Sequence, residues 1–194
     1  MPIENLTFLE EGAFTPIDEV VRAKAREFHN LDRLRNFINS LRSKINREEF
    51  RKRTASRIIS EGYIAQMPGI GCGCVDRAIV FATISRALGF PTKYLETFSL
   101  DYLGKHGEKI HSHAIVEIGF GNPPYWHGFD PSVGLVSIKD GHYFDHSEEY
   151  VVAAAGLDFS HVYSRTKEGF DPNPTTLNDL ASIKQLAKRA KLLI

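Results

Sequence analysis

The sequence predicts a single-domain α+β fold on three observations. Apolar residues recur at helical spacing as far as Leu88, and strand-like runs begin only at Thr92. The runs His113–Ile118 and Pro124–Phe129 are joined by a short turn, which makes them antiparallel neighbours. The 194 residues are enough for one domain with its own core, and the chain shows no internal repeat or low-complexity tract.

The elements follow in order. Thr15-Pro16 reads as an N-cap followed by proline at the first helical position, opening a helix over about 17–29. Leu31, Leu34, Ile38, Leu41 and Ile45 form the apolar stripe of a second helix, and Glu48 to Ser60 a third that ends near Gly62. Residues 68–73 form a glycine-rich turn into an apolar helix from Cys74 to Leu88, with Gly89 as its C′ residue and Pro91 beyond. Residues 93–98 alternate as a half-buried strand, and Asp101 to Ser112 reads as a polar, glycine-bearing loop. Gly119 to Pro123 turns between the next two strands. Ser147 is expected to cap a short helix through Ala155, and Ser164 to Thr176 to be a loop. Leu177, Leu180, Ile183, Leu186 and Ala190 stripe a terminal helix.

Bulk properties exclude several function classes. The 24 basic and 24 acidic residues balance, so no global field recruits nucleic acid or a membrane surface. No apolar run approaches the roughly 20 residues that span a bilayer, and the N-terminus does not read as a signal peptide. Asn5-Leu6-Thr7 matches a glycosylation acceptor, which stays idle without secretion. Two cysteines make no disulfide framework, and a cytoplasmic chain keeps them reduced. Residues 33–57 hold nine Lys/Arg and two Asp/Glu. They follow polar helical positions, and the two aromatic residues among them, Phe37 and Phe50, do not interleave with the bases as a stacking platform does, so they read as solvated helix faces.

Cys74, His113 and Asp130 carry the chemistry. A thiol attacks only as the thiolate. A cysteine opening a helix gains from the positive end of the helix dipole and from unpaired backbone N–H groups, which can also hold an oxyanion. Gly71 and Gly73 leave the backbone unhindered there. His113, at the start of a strand, suits the base, and Asp130, at the end of the neighbouring strand, suits the group that fixes its tautomer.

The segment from Gly73 to Pro91, with its Cys74, small Ala78 and Arg86-Ala87-Leu88-Gly89-Phe90-Pro91 ending, resembles the nucleophile helix of the transglutaminase-like superfamily. His113-Ala114-Ile115-Val116-Glu117 resembles that family's H-A-W-V-E strand, and Trp126 to Ser132 its W…D-P-T/S segment. Ile115 stands where an aromatic residue is common, and Cys72 is outside the usual pattern. The resemblance covers about residues 62–138, leaving an N-terminal helical extension (1–61) and a C-terminal helical tail (145–194). It implies a papain-like α+β fold, with helices packed on an antiparallel sheet and a Cys74–His113–Asp130 triad. By the same analogy Gln66 is a candidate second oxyanion donor; a turn residue is the rival reading. The implied activity is a cysteine peptidase or amidase working through a thioester on a peptide or protein amide, without cofactor. The alternatives are glutamine acyl transfer and an inactive peptide-binding module.

Other readings compete locally. Cys72 fits a bystander better than a nucleophile, because four residues on stands Asp76 and not a small residue; a redox partner for Cys74 is the minority reading. Cys72, Cys74, His111 and His113 have the right atoms for zinc, but Cys-x-Cys and His-x-His spacings are tighter than structural pairs use, so no metal is expected. Asp76 reads as a first-turn charge favoured by the helix dipole. Trp126, the sole tryptophan, suits core packing or a groove wall. His127, His142, His146 and His161 are read as packing or surface residues.

Overall fold

The computed structural model describes residues 8–66, 73–100, 112–145, 148–158, 163–165 and 170–172. Among them are four helices: α1 (Glu19–Ala25), α2 (Leu31–Ser40), α3 (Ala55–Glu61) and α4 (Cys74–Ala87). A short parallel pair, β1 (Arg42–Ile45) and β2 (Tyr63–Gln66), lies among the helices. The main sheet has six antiparallel strands in the order β6-β5-β4-β3-β8-β7. Its strands are β3 (Thr92–Ser99), β4 (Ser112–Phe120), β5 (Tyr125–Asp130), β6 (Gly134–Val136), β7 (His142–Asp145) and β8 (Glu148–Gly156). A two-stranded pair, β9 (Tyr163–Arg165) and β10 (Phe170–Pro172), completes the described elements.

The architecture is the α+β arrangement read from the sequence, with α4 at its centre. Twelve of the fourteen residues of α4 are buried, so this helix has no solvent face. On one side α1, α2 and α3 pack against it. On the other lies the sheet face of Tyr94, Ala114, Val116, Ile118, Phe129 and Ala154, which shares one core with Val75, Ala78, Ile79 and Phe81. Phe81 stacks on Phe129 with ring centroids 4.6 Å apart. The opposite sheet face gathers Leu95, Ile115, Tyr143 and Tyr150 into a second cluster.

A helix buried on all sides must satisfy its polar groups internally. At the C-terminal end Arg86 does so, donating to the carbonyls of Thr92 (2.6 Å from Nη2) and Leu157 (2.6 Å) and to Thr15 Oγ1 (3.0 Å). Burial pushes the Arg86 guanidinium down to about 10, against the opposing pull of Asp158. Gly89 (φ +89°) then turns the chain into β3, as the C′ glycine reading required.

Several expectations are corrected. Thr15 is not the cap of α1; its hydroxyl serves Gly12 N–H and Arg86, and Asp18 accepts from Val21 N–H to cap a shorter helix. α2 stops at Ser40, because Leu41 and the following residues leave the helix to pair β1 with β2, and Ile45 is exposed. α3 begins after its Thr54 cap, not at Glu48. The basic stretch is therefore not two solvated helix faces, and Arg53 within it is fully buried. Residues 148–156 are strand, not helix. Tyr150, Val151 and Val152 favour extended backbone, and two neighbours, β3 and β7, supply hydrogen bonds that outweigh the helical preference of the alanines that follow. β3 is covered on both faces and not half-buried, since Tyr94 faces the α4 core and Leu95 the cluster on the opposite face. Residues 163–165 and 170–172 pair within the expected loop. The terminal helix and Cys72, His111, His146 and His161 lie outside the described residues, as does the loop from Asp101 as far as His111.

Phe81→Ala, which removes a ring from the α4–sheet contact, should destabilise the protein by about 3–5 kcal/mol. Leu135→Ala on the exposed edge strand should stay within about 0.5 kcal/mol. Urea unfolding of the two variants checks this, and comparable losses would contradict a core centred on α4.

Candidate active site

The imidazole and carboxylate are brought together by strand register. Val116 pairs with Phe129 and Glu117 with Gly128, so the continued register sets Asp130 opposite Ile115 and diagonal to His113 on the same face. His113 Nε2 lies 2.5 Å from Asp130 Oδ2. The other carboxylate oxygen, Oδ1, accepts the Ser132 N–H at 2.6 Å, closing the turn that Asp130-Pro131 suggested. With both oxygens engaged, the carboxylate plane is fixed. The Asp130 side chain is almost fully buried and that of His113 is 14% exposed, so a substrate group can reach the ring and not the carboxylate.

Burial alone would raise the Asp130 carboxyl. The His113 hydrogen bond and charge, with the Ser132 contacts, outweigh it and hold the group below the ordinary aspartate value. The His113 backbone is anchored as well. Thr97 Oγ1 donates to the His113 carbonyl at 2.8 Å and lies 3.2 Å from Tyr143 Oη, beside a register shift in β3 between Glu96 and Thr97. The Tyr150 ring stands 5.9 Å from the imidazole.

Cys74 arrives on a different element. It is the first residue of α4, 3% exposed, with Gly73 as N-cap and no side-chain cap bond. The body of α4 packs on β4, and Cys74 belongs to the same core as Ala114, the residue after His113. Gly73 is required by crowding, since a Cβ there would lie 1.9 Å from Ile64 Cγ2 of β2. Gln66 ends β2, with its carbonyl accepting the Asn46 N–H at 2.9 Å and its side chain half-buried.

Asp76 corrects the sequence reading of a simple first-turn charge. It is 1% exposed, and its Oδ2 accepts from Arg53 Nη2 (2.5 Å) and Ala65 N–H of β2 (2.8 Å). Burial pushes its carboxyl up, opposed by Arg53 and the Ala65 N–H. Arg53 is the residue that sequence reasoning missed. Its place in a run of surface bases hid it, and only the Thr54 cap beside it hinted at a structured position. Among the described residues no group of three or more His, Cys, Asp or Glu side chains could hold a metal ion, and no helix is long and apolar enough to cross a membrane. Trp126 is half-buried under Lys93 Nζ, 3.7 Å from its ring, and meets Phe8 edge-on. His127 groups with Phe120 and Tyr125, and His142 pairs with Glu149.

The model of the transglutaminase-like superfamily matches residues 18–131, more than half of the chain. The chain belongs to this superfamily. The match takes in the helices before residue 62 that the resemblance had left out. No curated protein matches. Among solved structures, a candidate cysteine protease from Cytophaga hutchinsonii is 20% identical with a TM-score of 0.53, over 81% of this chain and 50% of that one. This chain thus spans half the length of that protein, and the likeness is one of fold. Legionella pneumophila LapG is 12% identical with a TM-score of 0.37, covering 75% of this chain and 92% of that one.

The Asp130 shift sets a pH dependence. A carboxyl held low in the folded state contributes stability above its unfolded value, about pH 4, and loses it as pH falls through the lower folded value. Wild-type urea midpoints should therefore fall more steeply below about pH 4 than those of Asp130→Asn. Equal slopes would contradict an ionised Asp130 bound to His113.

Proposed function

We propose that this protein is a cysteine hydrolase of amide bonds, a peptidase or amidase, with Cys74 as nucleophile, His113 as base and Asp130 as the residue that orients His113. The observation that carries the reading is the 2.5 Å contact between His113 Nε2 and Asp130 Oδ2 on adjacent strands of a sheet packed against the helix that Cys74 opens. Membership of a thiol-enzyme superfamily supports it.

His113 takes the Cys74 thiol proton through Nδ1 while Nε2–H stays on Asp130. The thiolate attacks the carbonyl carbon, and the oxyanion is held by N–H groups at the start of α4, with Gln66 as second donor. The C–N bond breaks as the imidazolium returns its proton to the leaving amine, leaving a thioester on Cys74. Water, deprotonated by His113, attacks that thioester and releases the acid and the thiol. An amine in place of water would give acyl transfer, and a peptide held without reaction would make the domain a binding module. We assign the enzyme to the cytoplasm, where Cys74 stays reduced.

Incubation with a complex peptide mixture, with and without a labelled primary amine, separates the readings by mass spectrometry. Hydrolysis predicts new carboxyl termini or deamidated side chains, absent with Cys74→Ala and reduced by about 100-fold or more with His113→Ala. Incorporation of the amine in preference to water would favour acyl transfer. No product from any peptide would leave the binding module.

A further inference from the structure

The ion pair behind the nucleophile is not used by the mechanism above, yet it sits in the same helical turn. Arg53 is fully buried and has both terminal nitrogens engaged: Nη1 donates to Glu61 Oε2 (3.0 Å), and Nη2 to Asp76 Oδ2 (2.5 Å) and the Tyr63 carbonyl (3.0 Å). The guanidinium also covers the Tyr63 ring at 4.1 Å. One side chain thus joins the connection before α3, the end of α3, the start of β2 and the first turn of α4. Asp76 adds a second tie from α4 to β2 through Ala65 N–H, one residue before Gln66. Among the described residues Asp76 Oδ1 accepts no hydrogen bond, so the charge of this carboxylate is answered chiefly by Arg53.

The position matters because Cys74 and Asp76 are two residues apart, with Cα atoms about 5 Å apart in a helix. A carboxylate in that place opposes a thiolate, and low local polarity strengthens the opposition. A buried ion pair is a weak source of stability compared with apolar packing, so its presence here needs another reason. We propose that Arg53 is a positioning residue for the nucleophile: it neutralises Asp76 and ties the first turn of α4 to β2, so that a thiolate can form at Cys74 beside a held Gln66. The inference rests on the reading of Cys74 as nucleophile. The charged groups that face Asp76 are Arg53 from the connection before α3 and Arg77 from α4 itself, with Glu61 of α3 reaching it through Arg53. His113 is the titrating partner assigned to Cys74.

The test measures the pH dependence of Cys74 alkylation in a Cys72→Ser background, for wild type, Arg53→Met, Asp76→Asn and the double variant, each checked for folding by circular dichroism. Arg53→Met should raise the Cys74 thiol pKa by about one unit, since it strands the Asp76 charge. Asp76→Asn should lower it, since only Glu61, on the far side of the guanidinium, then opposes the Arg53 charge. The double variant should return it to the wild-type value. If Arg53→Met fails to fold, Asp76→Asn and the double variant carry the same comparison. A thiol pKa unchanged across the folded variants, or a shift that the double variant does not reverse, would overturn the proposal and leave the pair a packing element. An ordinary thiol in the wild type would contradict the nucleophile reading by itself, while shifts among variants can be read on any titrating thiol.

Discussion

The burial of α4 on all sides is the constraint on which the rest of the molecule depends. A helix without a solvent face cannot leave polar groups to water, so each of its ends is closed by a buried arginine. Arg86 at the C-terminal end is itself part of α4 and binds the start of β3, Leu157 just after β8 and Thr15 of the N-terminal segment. Arg53 at the N-terminal end comes from outside and binds α4 through Asp76. Between these two fastenings lies apolar packing against Val116, Ile118 and Phe129. Cys74 stands at the first position of this fixed rod, so its location is set by the whole core and not by a local loop.

The sheet performs the complementary task. β4 and β5 are held in register from Val116–Phe129 to Phe120–Tyr125, and carrying that register onward sets His113 diagonal to Asp130. Burial is graded across the pair, with the carboxylate inside and the ring at the edge. This grading leaves the Asp130 carboxyl held low in a dry place and the His113 ring partly open to a neighbour. In the proposed mechanism helix and sheet carry different parts of the chemistry: α4 presents Cys74, and β4 and β5 present the His113–Asp130 pair.

The legible parts of the sequence were those in which local signals and tertiary structure agree. The glycine before Cys74, the predominantly apolar stretch to Leu88 and Gly89 after it marked α4 to within a residue at either end. The strand around His113 was equally plain, being rich in β-branched residues. The misreadings share a cause, which is pairing at a distance. Nothing local says that Arg42–Ile45 will find Tyr63–Gln66, or that the alanines of β8 will serve a sheet. Arg53 illustrates the same limit for the site. An arginine among nine basic residues looks like surface until its acidic partner, 23 residues away, is known to be buried. Asp130 was singled out because a recognisable segment surrounds it; its depth and its second hydrogen bond to Ser132 came from the structure.

The central claim is that His113 activates Cys74. The rate of Cys74 alkylation by iodoacetamide as a function of pH, in a Cys72→Ser background with and without His113→Ala, tests it most directly. The account predicts a thiol that titrates well below the ordinary cysteine value of about 8.5 and returns to it when His113 is removed. An ordinary value in both proteins would contradict it.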